Sequence, residues 1–104
     1  MSSLTVNVIH EPEGLRLILD GRIDARTAYN FSDALSAVLS GNQGNIVFDC
    51  EKLAYISSAG LRVLLSMHKR NKLPVKLVNV CHEVRSILDL TGFSQIFDVS
   101  GGND

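Results

Sequence analysis

The apolar residues of this chain change their period part-way along it, and that change restricts the fold more than any bulk property. Leu4, Val6 and Val8 alternate with Thr5 and Asn7, and Leu15, Leu17 and Leu19 alternate again after Glu11-Pro12-Glu13-Gly14. A period of two puts every second side chain on one face of a strand, and Pro and Gly suit a turn between strands. These segments predict an antiparallel hairpin. From Thr27 the spacing becomes helical. Ala28, Phe31, Ala34, Leu35, Val38 and Leu39 fall on one side, with Asn30, Asp33 and Ser36 between them. Asp24 or Thr27 is suited to cap that helix, and Gly41 or Gly44 to end it.

The remaining chain repeats the theme. Ile46-Val47-Phe48 is a short apolar run, as in a strand covered on both faces. A second helix is predicted from about Ala59 to Arg70. A strand follows from Val75 to Val80, its start sharpened by Pro74, and then a helix from Glu83 to Leu90 with Gly92 just past its end. Phe93, Ile96, Phe97 and Val99 predict a last segment that packs back on the core. Two strand-to-strand connections thus contain a helix, which calls for parallel strands joined by right-handed crossovers. The expectation is an α/β fold: a mixed four- to five-stranded sheet with an N-terminal antiparallel hairpin and helices packed on it. A chain of 104 residues supports one domain, 1–104, with about 1–3 and 100–104 frayed.

Composition removes several functions. Ten basic residues against eleven acidic ones leave a net charge of −1, which supplies no field for direct nucleic-acid binding or for an anionic membrane. No apolar stretch is long enough to cross a bilayer, and Met1-Ser2-Ser3-Leu4 does not open a signal peptide, so the expected location is the cytoplasm. Cys50 and Cys81 read as two buried thiols, not a disulfide framework, and His10, His68 and His82 show no metal-site spacing. No Walker loop or nucleophile elbow is present. A catalytic reading would have to pair Ser57 or Ser58 with His68 or His82 and Asp24 or Asp49, with only the residue types in its favour. The chain is expected to be neither an enzyme nor a holder of a metal or cofactor.

The chemistry concentrates in Phe48 to Leu61. There a strand ends, a short loop passes, and Ser57 and Ser58 stand immediately before a helix. A serine in that place caps the helix by accepting an amide hydrogen bond, but a cap employs one serine and not two. Free amides and the positive end of the helix dipole also make the position tolerant of a phosphate. Gly60 suits close approach, by a partner or by a packed neighbour. Leu61, Val63, Leu64, Leu65 and Met67 leave little of the helix polar, as expected of a largely buried helix or of an apolar strip beside Ser58. Arg62, Lys69 and Arg70 read most simply as solvated charges, with steering of an acidic partner surface the other role open to Arg62.

Ile56-Ser57-Ser58-Ala59-Gly60-Leu61 resembles the signature loop of STAS domains, the family of bacterial anti-sigma factor antagonists. Gly21-Arg22-Ile23-Asp24 is similar to that family's Gly-x-Leu/Ile-Asp, Phe48-Asp49 to its strand-ending Asp, and Leu88-Asp89-Leu90-Thr91-Gly92-Phe93 to its Leu-x-x-x-Gly-Leu/Phe. The family's phosphoacceptor is the serine two places before the signature glycine, which is Ser58. The preceding position, commonly Asp, is Ser57, so Ser57 is the alternative acceptor. The resemblance implies a partner switch. The unmodified protein binds an anti-sigma factor that is also a serine kinase and so frees a sigma factor; phosphorylation at Ser58 ends the binding, and a serine phosphatase restores it. The expected partner-binding residues are Asp24, Ser57, Ser58, Ala59, Gly60, Leu61 and Arg62, on a monomer or weak dimer. The other role open to such a chain is a scaffold, or a soluble subunit of a signalling or lipid/anion transport complex.

Overall fold

The computed structural model describes residues 3–39, 44–70 and 75–102. Two strands, β1 (Leu4–Glu11) and β2 (Gly14–Ile23), form the expected hairpin, closing at Glu11 opposite Gly14. Helix α1 (Ala28–Leu39) leads to β3 (Asn45–Ile56), α2 (Ser58–Arg70) to β4 (Val75–Val78), and α3 (His82–Thr91), with a 3-10 turn at Phe93–Gln95, to β5 (Asp98–Val99). The sheet has five strands in the order β1-β2-β3-β4-β5, antiparallel at the first pair and parallel at the other three. Gly41 and Pro74, expected to end α1 and to start β4, lie outside the described residues.

Register explains where the core forms. Val8, Leu17, Phe48, Leu77 and Val99 are lateral partners across all five strands, and His10, Leu15, Ile46 and Val75 make a second row. The β2, β3 and β4 members of these rows are buried. Every helical connection runs the same way across the sheet, so right-handed crossovers put α1, α2 and α3 over this one face. They meet it with Phe31, Leu35, Leu64, Met67, Val84 and Leu88. The opposite face is open. Its row Ile9, Arg16, Val47, Lys76 and Asp98 is partly or fully exposed, which corrects the expectation that β3 is covered on both faces.

Ion pairs cross this open face. Arg16 reaches Glu11 at 3.4 Å and Asp49 at 3.2 Å. Burial works to raise the Asp49 carboxyl, but the Asn79 amide, the Glu51 backbone N–H and Arg16 outweigh it and hold it below the usual carboxylate value. A carboxyl depressed in the folded state lends stability above its unfolded pKa of about 3.9, and that stability is lost as pH falls through the lower folded value. Urea unfolding followed from neutral pH to below about pH 4 is therefore expected to show a shallower acid loss for Asp49→Asn than for the parent. An identical acid slope in the two proteins would remove Asp49 from the account.

Three boundaries differ from the sequence reading. The segment Cys50–Ile56, read as a loop, is the second half of β3. Its register against β2 slips between Ile18 and Asp20 and again between Gly21 and Arg22, so the buried residues Cys50, Leu53 and Ile56 recur every third position instead of every second. Bulges of this kind erase the alternation by which a strand is recognised. β4 ends at Val78 and not at Val80, because Asn79 adopts a left-handed φ of 58° and donates its side-chain amide to Asp49 at 3.1 Å. Residues 100–102, read as part of a frayed tail, are tied down. Ser100 donates to the Leu77 carbonyl and accepts from the Val80 N–H, while Arg85 reaches the carbonyls of Val99 and Gly101. Gly92 closes α3 at φ 82°, as the sequence led one to expect. Cys50 is buried, and burial, with Asp49 and Cys81 nearby, pushes its thiol up to about 12. Cys81 is only partly buried, with its thiol on the Leu53 carbonyl, so the two thiols are not alike.

Candidate functional site at the start of helix α2

β3 outruns β4. Its pairing with β4 stops at Asp49, while its pairing with β2 continues to Ile56 opposite Ile23. The next residue, Ser57, fixes the exit of the strand. Its N–H donates to the Ile23 carbonyl at 2.8 Å, its carbonyl accepts from Leu61 at 2.9 Å, and its Oγ accepts from the Gly60 N–H at 3.3 Å. Those contacts make Ser57 the N-cap of α2. Ser58 is then the first helical residue, and it is exposed. The two serines therefore divide the work: one is engaged by the helix it caps, and the other presents its side chain to solvent.

The residues that follow hold the helix down. Gly60 is buried, and a Cβ there would come within 2.5 Å of Ile23 Cγ2 and 2.8 Å of Ile56 Cγ1. Only a residue without a side chain lets α2 start this close to the ends of β2 and β3. Leu61 is 4% exposed. Gly60 and Leu61, expected among the residues that meet a partner, are instead occupied with the core, whereas Ala59 is half-buried and Arg62 exposed. Along the helix Leu64 and Met67 are also buried and Val63 and Leu65 partly so, which accounts for its apolar strip as packing.

Asp24 sits at the matching place after β2. Its Oδ1 accepts from the N–H groups of Arg26 at 2.9 Å and Thr27 at 3.0 Å, and its own N–H donates to Thr27 Oγ1 at 2.9 Å. This is the capping arrangement that leads into α1. The sheet brings Asp24 to the site by backbone, since the preceding residue, Ile23, holds the Ser57 N–H. Two neighbours were not legible in the sequence. Arg22 lies over the Tyr55 ring at 4.6 Å to its centroid, a contact created by the register that pairs the two residues. Tyr29, in the first turn of α1 just past the end of β2, is 80% exposed.

The catalytic pairing is not assembled. His68 is ten residues along α2 from Ser58, roughly 15 Å of helix axis, and its ring packs edge-on to Phe97. His82 meets the Gly102 carbonyl, and Asp49 is held by Arg16 and Asn79 on the open face. No group of three or more metal-ligating side chains occurs among the described residues, and none of their helices is long and apolar enough to cross a membrane.

Comparison with known proteins resolves the family. The STAS domain family model matches residues 5–101. This chain is a STAS-domain protein. A Bordetella bronchiseptica protein named as an anti-sigma factor antagonist, BtrV, is 30% identical over 89 residues, spanning 83% of this chain and 77% of that protein. Among solved structures, an anti-sigma factor antagonist from Mycobacterium paratuberculosis superposes with a TM-score of 0.81 at 24% identity, over 92% of this STAS chain and 84% of its own. SpoIIAA, an anti-sigma factor antagonist in its unphosphorylated form, gives 0.76 at 16% identity, over 93% and 87%. At those identities the two structures speak for the fold, which is the mixed sheet with an N-terminal hairpin expected from the sequence.

Proposed function

We propose that this STAS protein is an anti-sigma factor antagonist: a cytoplasmic binding protein, not an enzyme, whose hold on an anti-sigma factor is governed by phosphorylation of Ser58. The unmodified protein binds an anti-sigma factor that is also a serine kinase, and so releases a sigma factor. Phosphorylation ends that binding, and a serine phosphatase reverses it. The observation that carries the reading is the division between the two serines. Ser57 is committed to the Gly60 N–H, while Ser58 stands exposed one position into the helix. The Bordetella bronchiseptica relative named as an anti-sigma factor antagonist supports the same role.

The chemistry asked of this chain is small. In the kinase, Ser58 Oγ attacks the γ-phosphorus of ATP. The new O–P bond forms as the bond to the bridging oxygen of ADP breaks, and the hydroxyl proton passes to a base of the kinase. Substrate needs are an exposed hydroxyl and a rigid mount, and the backbone ties of Ser57 supply the mount. The added phosphate carries about −1.5 to −2 charges at neutral pH, so burying it in an interface is costly.

The test is intact-mass measurement after incubation with the serine kinases of the native cell, ATP and magnesium. One phosphate is expected on the parent protein and none on Ser58→Ala, which should keep its partner. Ser58→Asp should weaken the partner complex by about tenfold or more. Phosphate still added to Ser58→Ala would move the acceptor to Ser57. No phosphate on any form would favour a scaffold or a soluble subunit of a transport complex.

A further inference from the structure

Ser58 and Arg62 are one helical turn apart, and both are exposed. The Arg62 side chain runs back toward the start of α2, the direction that long helical side chains take, and its Nε lies 3.5 Å from the Ser58 carbonyl oxygen. That contact is long and leaves the guanidinium with donors to spare. Three of the other arginines are better occupied. Arg16 and Arg85 are each held by carboxylates, and Arg22 is stacked on Tyr55. Among the described residues no carboxylate stands within 4.0 Å of the Arg62 guanidinium. An uncommitted cation is thus folded against the residue whose hydroxyl is free.

We propose that Arg62 is the internal counter-charge for a phosphate on Ser58, so that one modification both adds a dianion to the surface and withdraws a cation from it. The inference rests on the reading of Ser58 as acceptor. An acidic group four residues before a basic one is the favourable order on a helix, because each charge also faces the helix end that suits it. A phosphate offers three acceptor oxygens to the planar fork of the guanidinium. Ser57 contributes no negative charge beside it, where an aspartate would compete for the same arginine and repel the phosphate. Before modification Arg62 makes only the long contact with the Ser58 carbonyl, beside a shallow groove between α1 and α2 that Ser32, Leu35, Val63, Ser66 and Arg70 also line, and its spare donors are available to an acidic partner. After modification those donors are taken by the phosphate. The partner then meets an unfavourable charge and loses a favourable one.

The test uses phosphoserine incorporated genetically at position 58, so that no kinase is needed. The phosphorus-31 signal is titrated between about pH 4 and 8, across the second ionisation of the phosphate near about 6. In Arg62→Gln the midpoint is expected to rise by roughly 0.3 of a pH unit relative to the arginine protein, with Arg62→Lys between the two. The difference should close in about 1 M salt, where screening acts over about 3 Å. Far-UV circular dichroism of all three should superimpose, since the side chain is exposed. Coincident low-salt titrations of the arginine and glutamine proteins would overturn the pairing and leave the acceptor assignment untouched. Failure of every kinase to modify Ser58 would instead sink the assignment without moving these midpoints.

Discussion

Gly60→Val is expected to lower the unfolding free energy by about 3 kcal/mol, and with it the melting temperature by roughly 12–24 °C. The argument is steric. A single Cβ at this position already falls 2.5 Å from Ile23 Cγ2 and 2.8 Å from Ile56 Cγ1. Both isoleucines are 1% exposed or less, and each is pinned by the last paired positions of its strand, so neither has an easy rotamer to retreat into. The branched valine adds two further carbons to the collision. Relief requires α2 to lift away from the sheet, and lifting its first turn strains the bonds from Ser57 to Ile23 and from Gly60 to Ser57. The damage should accordingly appear at the site as well as in the melt. Phosphate uptake at Ser58 should fall at temperatures where the variant is still folded. Calorimetry showing a change of less than about 0.5 kcal/mol would mean that the helix start is not packed as closely as described.

Phe48→Ala should cost more, about 3–5 kcal/mol, but spare the site. Phe48 has no exposed surface, and its ring meets Phe31 of α1 edge-to-face with centroids 6.1 Å apart. Its lateral partners Leu17 and Leu77 are buried as well, so the void left by the ring lies at the centre of the sheet and cannot drain to solvent. Backbone hydrogen bonds on either side keep the walls apart. Urea denaturation should show the loss as a lower midpoint with little change in slope. The start of α2 lies farther along β3 and is held by Ile23, Ile56 and Ser57, so kinase modification of Ser58 at low temperature should proceed as in the parent. A variant as stable as the parent would require the core to collapse around the gap, which the paired strands oppose.

These two residues also mark what could be read from the chain. Phe48 lies in a short apolar run between helical spacings, and its burial in a parallel strand follows from that pattern. The helices were equally visible, α1 and α3 by apolar residues at helical spacing and α2 by the dense apolar run from Leu61 to Met67. Gly60 was ambiguous between packing and partner access. Its role depends on how near Ile23 comes, and that distance is set by pairing between segments remote in sequence. The second half of β3 was hidden for a related reason, since its bulges convert a two-residue period into a three-residue one. Of the site itself, the sequence offered two serines and a cap. Which serine caps was decided by the register that delivers the Ser57 N–H to Ile23. The stacking of Arg22 on Tyr55 likewise belongs to strand pairing and has no local signature.

The extension of β3 past the last rung shared with β4 has a consequence for access. Beyond that rung β3 stays packed, beside β2 on one side and with Cys81 on the Leu53 carbonyl, and Ser58 stands exposed just past its end. A kinase must draw its target hydroxyl deep into a cleft that already holds nucleotide, and a flat surface could not follow it there. An exposed residue at the corner where a strand passes into a helix can be offered to such a cleft while the rest of the domain stays outside.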